Sequence, residues 1–348
     1  MLFCALTIAF MACSKTERVQ PVATTLAAAK TNNGASKPVA GSVTYLTCDG
    51  ADVTATAKAG LILMGGGLDV DAAIKWFLQR AGGGDVVVIR ATGADGYNQY
   101  MFDMVNVNSV ETIMIDSRTK AGLAEVVQKI RNAEALFIAG GDQWDYVNYW
   151  KNTATEDAIN YLINTKKVTI GGTSAGLAIL GNIYFSAQNG TVTSAQALAN
   201  PYNKYMAFGG NDFVNSPLMQ NTITDSHYSQ RYRQGRHITL MARIMIDWGN
   251  ATIKGIGIDE QTAVCIDENG IGNVYGINQA YFLQNENLGA ETCISGSPLT
   301  WNRSQLSVKA YKITGSVTGN GLFNASTWAL SGGTPYHYYA NTGVLYPN

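Results

Sequence analysis

From residue 60 onward, short apolar runs alternate with stretches in which apolar residues recur every three or four positions. GLILMGGG (60–67) predicts a buried strand entering a glycine turn, and DVDAAIKWFLQRA (69–81) carries helical spacing. DVVVIRAT (85–92) predicts a second strand, and ETIMID (111–116) a third, after a loop that holds Tyr97, Tyr100 and Phe102. Leu123, Val126, Val127 and Ile130 fall on one face of a helix over 119–133. ALFIAGGD (135–142) is a fourth strand, 154–165 a helix, and KVTIGG (167–172) a strand that runs into GGTSAG. Short continuous apolar strands between helices indicate a parallel sheet covered on both faces. Ligands of such sheets sit beyond the carboxyl ends of the strands. The glycine turns at 65–67, 140–141 and 171–172 are therefore expected to converge on one cleft.

After about residue 180 the period weakens. A polar, Asn-rich stretch (186–224) leads to SHYSQRYRQGRHITLMARIMIDWG, where Ile238, Met241, Ile244, Met245 and Trp248 trace a helical face. GIGIDEQTAVCIDENGIGNVYG (255–276) alternates as short strands, with ENG as a hairpin turn. Residues 290–348 are rich in Gly, Ser, Thr, Asn and Tyr and predict β additions or irregular cover. No internal repeat is visible. The expected organisation is a leader (1–13), a tether (14–42), a catalytic domain (43–289) and a β-rich extension packed on it (290–348).

Composition changes this picture at the N-terminus. LFCALTIAFMAC is too short to span a bilayer as a helix and has the length of a signal h-region. It ends in FMAC before Ser14 and Lys15, which resembles the lipobox of bacterial lipoproteins with Cys13 as the lipidated residue. An ordinary cleaved signal peptide is the alternative; export is expected either way, to a cell-envelope membrane, the periplasm or beyond. Residues 16 to about 42, rich in Ala, Thr, Asn, Ser, Lys and Pro without period, read as a flexible tether. Cys48, Cys265 and Cys293 then remain, enough for one disulfide at most. A Cys48–Cys293 bridge would tie the flanks of the core together; three buried thiols are the alternative. A net charge of -1 favours neither nucleic acid nor an anionic membrane surface as partner.

Candidate chemistry centres on Gly172-Thr173-Ser174-Ala175-Gly176, a G-x-S-x-G spacing that turns sharply from strand to helix and presents a hydroxyl at the apex. Serine is a poor nucleophile until an imidazole takes its proton, and the imidazole needs a carboxylate on its other nitrogen. The chain has 3 histidines, so candidates are few. DSHYSQRYRQGR supplies His227, and GIGIDEQTA supplies Asp259 and Glu260, of which only one can serve because neighbours on a strand face opposite ways. His237 and His337 read as packing, surface or structural residues. The order Ser, His, Glu differs from the Ser, Asp/Glu, His order of α/β-hydrolases.

IAGGDQ (138–143), GGTSAG (171–176), DSHYSQRYRQGR (225–236) and GIGIDEQTA (255–263) resemble the signature segments of the cyanophycinase branch of the S51 serine peptidases, over roughly residues 58–280. The resemblance implies a flavodoxin-like sheet related to class I glutamine amidotransferases. It also implies serine hydrolysis of peptide bonds next to aspartate, including β-linked Asp-Arg, without metal or organic cofactor. Carried over, Ser174 is the nucleophile, His227 the base and Glu260 the triad acid. Gly141 and Ala175 are oxyanion donors through backbone N–H groups. Gln143 lines the cleft, and Asp225, Arg231, Arg233 and Arg236 form a charged cluster. Guanidinium forks would bind a substrate α-carboxylate, and an Arg-bearing leaving portion would want an acid such as Asp225. Ser226 stands where cyanophycinases usually carry Gln, and Tyr228 where Phe is usual. The expected partner is a peptide substrate, with a homodimer left open. The alternatives are an α/β-hydrolase-like esterase using the same serine and a non-catalytic surface binding lipoprotein.

Overall fold

The computed structural model describes residues 41–348 apart from Asn287. The leader with Cys13 and nearly all of the tether lie outside the described residues. In chain order the strands begin with β1 (Val43–Cys48), β2 (Gly60–Met64), β3 (Asp85–Arg90), β4 (Ser109–Met114), β5 (Ala135–Ile138) and β6 (Thr169–Thr173). They continue with β7 (Ile183–Phe185), β8 (Phe208–Gly210), β9 (Thr222–Asp225), β10 (Lys254–Ile258), β11 (Thr262–Asp267) and β12 (Ile271–Gly276). The last are β13 (Gln279–Asn285), β14 (Val308–Thr314), β15 (Asn320–Asn324), β16 (Leu330–Ser331), β17 (Thr334–Asn341) and β18 (Val344–Pro347). Helices are α1 (Asp71–Arg80), α2 (Asn98–Met104), α3 (Arg118–Ala121), α4 (Ala124–Asn132), α5 (Gln143–Trp150), α6 (Ala154–Tyr161), α7 (Ala175–Ala178), α8 (Ser194–Ala199) and α9 (Gln234–Trp248).

The first sheet has the order β1-β4-β3-β5-β6-β2-β11-β12-β15-β16. Its parallel centre is the expected one: β4, β3, β5, β6 and β2 all pair in parallel. Strands β3 to β6 take the 2-1-3-4 order of a flavodoxin-like sheet, and β2, first of the parallel set in the chain, occupies the fifth place beside the serine strand. Alternation along β2 explains the layering. Leu61 and Leu63 enter the core shared with α4, α5 and α6, whereas Ile62 and Met64 enter the core shared with α1 and α2. The sheet is therefore covered on both faces.

A second, largely antiparallel sheet was not legible in the chain. Its order is β18-β17-β14-β13-β10-β9-β7-β8. Ile256, Ile258 and Phe282 face the core that also holds Val264 and Ile266 of the first sheet. α8 and α9 cover its other face, through Leu198, Ile238, Met241 and Ile244. The segment after residue 290 extends both sheets, because β14 pairs with β13 and β15 pairs with β12.

Several expectations change. The loop with Tyr97, Tyr100 and Phe102 contains α2, whose Asn98 is buried and accepts from the Thr112 hydroxyl at 2.6 Å. The helix expected over 119–133 breaks near Gly122 into α3 and α4. Residues 143–150 form α5, and the Asn-rich stretch holds β8, α8 and β9. Cys293 is a free thiol, as is Cys265, so the Cys48–Cys293 bridge does not form. No helix among the described residues is long and apolar enough to cross a membrane.

Close packing of the parallel centre depends on Gly171 in β6. A Cβ there would lie 2.5 Å from Ile62 Cγ2 and 2.6 Å from Phe137 Cδ2. Overpacking of that kind costs about 1–3 kcal/mol. Gly171→Ala is expected to lower the urea midpoint accordingly, and an unchanged midpoint would contradict this packing.

Candidate active site

The chain crosses from β6 into α7 at Ser174, whose backbone is held at φ 53°, ψ -110°. Positive φ is costly for a residue with a Cβ and persists only where the surroundings enforce it. Here the Ser174 N–H donates to Met64 O at 3.0 Å, which ties the turn to the end of β2. Gly176 permits the bend, since a Cβ there would lie 2.1 Å from Ile138 O. The serine hydroxyl is thereby fixed at the carboxyl end of the sheet.

His227 follows β9 and is also held at positive φ, 45°. Its N–H donates to Gly65 O at 2.8 Å. The imidazole lies against Gly66, where a Cβ would come within 2.5 Å of the ring. His227 Nε2 is 2.7 Å from Ser174 Oγ, and Nδ1 is 2.6 Å from Glu260 Oε1. A carboxylate only accepts, so Nδ1 carries the proton and Nε2 presents its lone pair to the serine hydroxyl. His227 is 7% exposed. Burial is the largest cause holding its pKa below the ordinary 6.5; the Glu260 hydrogen bond opposes it, and the charges of Arg231 and Arg233 add to it. The ring is therefore neutral at neutral pH, as a proton acceptor must be.

Glu260 is positioned from two sides. Its N–H donates to Gln230 Oε1 at 3.0 Å, and its carbonyl accepts from Asn278 Nδ2 at 2.9 Å. Asp259 has a different job. It is buried and accepts from the N–H groups of Ser229 at 2.8 Å and Gln279 at 3.3 Å, which anchors the histidine loop to β13. Gln230 and Asn278 had no assigned role in the sequence, although Gln230 lies inside the quoted DSHYSQRYRQGR segment.

The backbone N–H groups of Gly141 and Ala175 donate to no acceptor among the described residues. Gly141 adjoins Asp142, which caps α5, and Ala175 opens α7. Gln143 starts α5 and donates through Nε2 to Phe185 O at 3.2 Å.

The charged cluster divides in two. Asp225 and Arg236 are each 2% exposed. Arg236 holds Asp225 bidentately, Nε to Oδ2 at 2.7 Å and Nη2 to Oδ1 at 2.6 Å, and Arg233 Nη1 adds a bond at 3.2 Å. Burial alone would raise the Asp225 carboxyl, but the Arg236 and Arg233 charges outweigh it and hold the pKa at about 2. The expectation that Asp225 receives a substrate arginine is thus corrected: both its oxygens are taken and it faces no solvent. Arg236 is likewise committed to the interior, with its guanidinium 4.8 Å from the Phe185 ring centroid. Arg231 is exposed, and Arg233 is partly exposed at the edge of this network. His237 is fully buried, donates through Nε2 to Ile223 O and accepts at Nδ1 from the Tyr228 hydroxyl; burial brings its pKa to about 4. His337 lies on β17, 3.6 Å from Glu286.

A profile of peptidase family S51 matches residues 61–274, well over half of the chain. The chain belongs to peptidase family S51. Among curated relatives, a cyanophycinase from Nostoc sp. is 26% identical over 176 residues, 51% of this chain and 53% of its own length. A cyanophycinase from Synechococcus elongatus is 24% identical over 207 residues, 58% of this chain and 59% of its own length. The chain thus spans little more than half the length of these relatives. A solved peptidase from an acI-B1 Actinobacterium is 16% identical, with a TM-score of 0.48 over 69% of this chain and 98% of its own. The S51 match includes β2 to β11, and with them Ser174, His227 and Glu260.

Two substitutions separate positioning from stability. Gly66→Ala is expected to displace the His227 ring and abolish reaction of Ser174 with a fluorophosphonate while the fold persists. Labelling at the wild-type rate would contradict the geometry. Asp225→Asn leaves buried guanidinium groups without their anion and is expected to cost about 3–5 kcal/mol of stability, read as a lowered urea midpoint.

Proposed function

We propose that this S51 member is a serine peptidase that cleaves aspartyl peptide bonds through an acyl-enzyme. The observation that carries the reading is the continuous hydrogen-bonded chain from Ser174 through His227 to Glu260. Ser174 Oγ attacks the scissile carbonyl as His227 Nε2 takes its proton, giving a tetrahedral oxyanion and an imidazolium. Glu260 stabilises the imidazolium, and the free N–H groups of Gly141 and Ala175 are the donors offered to the oxyanion. Collapse expels the amine, which leaves with the proton from Nε2. Water, deprotonated by the same nitrogen, then hydrolyses the ester and returns the proton to Ser174.

The substrate reading rests on the exposed guanidinium of Arg231 and the edge of Arg233. A β-aspartyl peptide carries a free α-carboxylate close to the scissile bond, and planar guanidinium groups bind carboxylates through paired hydrogen bonds. The curated relatives named cyanophycinase point the same way. Asp225 and Arg236 contribute by holding Arg233 in place. The buried Ser226 Oγ accepts from Arg233 Nη1 at 3.2 Å, so the Ser for Gln difference falls on an arginine support. Export, with lipidation at Cys13, remains part of the proposal.

A fluorophosphonate is expected to label the wild type and not Ser174→Ala; labelling of the alanine variant would remove the assignment. β-Asp-Arg dipeptide and cyanophycin are expected to be turned over, and Arg231→Ala to raise KM by about tenfold, the loss of roughly 1.4 kcal/mol. kcat/KM requires neutral His227, so it is expected to fall as pH drops through a midpoint below 6.5. Removing the Arg231 charge relieves repulsion of the imidazolium, so Arg231→Ala is expected to move that midpoint upward. A midpoint that stays fixed would contradict the electrostatic coupling.

A further inference from the structure

The C-terminal strands build a second cleft that the S51 match at 61–274 does not include as a unit. Cross-strand register sets Lys254, Gln284 and Lys309 side by side across β10, β13 and β14. The rung two residues away carries Ile256, Phe282 and Tyr311. Residues two apart on a strand share a face, so a cationic row runs beside an apolar and aromatic one. The turn between β15 and β16 brings Trp328 to this face. Together Phe282, Gln284, Lys309, Tyr311, Trp328 and Leu330 line most of a cleft of about 410 Å³. That volume lies within the roughly 300–1,000 Å³ range of small-molecule sites.

Its walls are fixed. Trp328 sits at φ 60°, its N–H donates to Asn324 O at 2.7 Å, and its ring stands edge-on to Phe323 with centroids 5.0 Å apart. Phe282 is fully packed beneath it, and the Tyr311 hydroxyl accepts from Gly333 N at 3.0 Å. No acidic residue lines the cleft. Lys309 is its one charged lining residue, and the Lys254 ammonium, outside the lining, lies 4.8 Å from the Trp328 ring centroid.

We propose that this cleft binds a small aromatic carboxylate, its ring against Trp328, Phe282 and Tyr311 and its carboxylate toward Lys309, with the Gln284 amide as a further donor. The ligand chemistry is a flat apolar ring joined to one negative charge. Both a free aromatic acid and an aromatic residue at a peptide C-terminus offer it. The site is independent of Ser174, so it stands or falls apart from the peptidase reading.

Titration calorimetry on the whole protein tests this with 1-naphthoate, its uncharged amide 1-naphthamide, and Gly-Gly-Phe with a free or amidated C-terminus. Saturable one-site binding of 1-naphthoate is expected, weakened about tenfold by loss of the charge or by Lys309→Glu, as for one charge-assisted contact. Lys309 is exposed, so that variant keeps the fold; Trp328→Leu is expected to weaken binding as well. Lys204→Glu, outside the cleft, is expected to leave it unchanged. Tight binding of the free-acid peptide together with 1-naphthoate would identify a peptide terminus as occupant, and 1-naphthoate alone a free acid. Absence of saturable 1-naphthoate binding, equal affinity for the amide, or indifference to Lys309→Glu would overturn the proposal.

Discussion

The His227 ring, held between Ser174 Oγ and the Glu260 carboxylate, is the interaction on which the rest of the molecule converges. It joins three segments separated by 53 and 33 residues of chain, so no local propensity can create it. Each partner arrives at the end of a strand: Ser174 after β6, His227 near the end of β9, Glu260 after β10. The glycine turn after β2 is the common floor. Gly65 receives the His227 N–H, Gly66 lies under the imidazole, and a Cβ on Gly67 would lie 3.0 Å from Glu260 Cβ. Positive φ at Ser174 and His227, which carry a Cβ, concentrates backbone strain in this small volume, while Gly66 and Gly67 take positive φ freely. Strain of that kind clusters where geometry serves chemistry.

Around that centre, electrostatics are arranged in shells of decreasing burial. Asp225, Arg236 and His237 are interior groups whose hydrogen bonds are all directed at protein partners. They brace α9 against β9. Breaking such a pair exposes the full cost of a buried charge, which is why these residues act as framework. Arg233 bridges interior and rim, and Arg231 is wholly on the rim. The two guanidinium groups also repel a proton on His227, so the same cluster helps keep that imidazole unprotonated.

Much of this was legible in the chain because it follows short-range rules. Continuous apolar runs such as GLILM and DVVVIR declared the parallel centre, and GGTSAG declared the turn that presents Ser174. The second sheet was hidden because its strands β7, β8 and β9 are three or four residues long and set among Asn, Gly and Thr. Their order is fixed by tertiary pairing, β9 with β10, β7 with β9 and β8 with β7, which periodicity cannot reveal. α2 escaped for a related reason: its buried Asn98 is polar, and only the Thr112 and Tyr45 partners make that burial tolerable. Residue type pointed to Asp225 as a free acid, whereas its neighbours on α9 neutralise it. The support of Glu260 by Gln230 and Asn278 was likewise invisible, since amide side chains carry no distinctive spacing.

The most direct test of the account is the nitrogen spectrum of the imidazoles in protein labelled with 15N-histidine at neutral pH. The chain has 3 histidines, so His227 can be assigned by its loss in His227→Gln. The account predicts a neutral ring protonated at Nδ1, with Nε2 unprotonated, and a shift of that pattern in Glu260→Gln. A His227 ring protonated at Nε2, or an imidazolium at neutral pH, would contradict it.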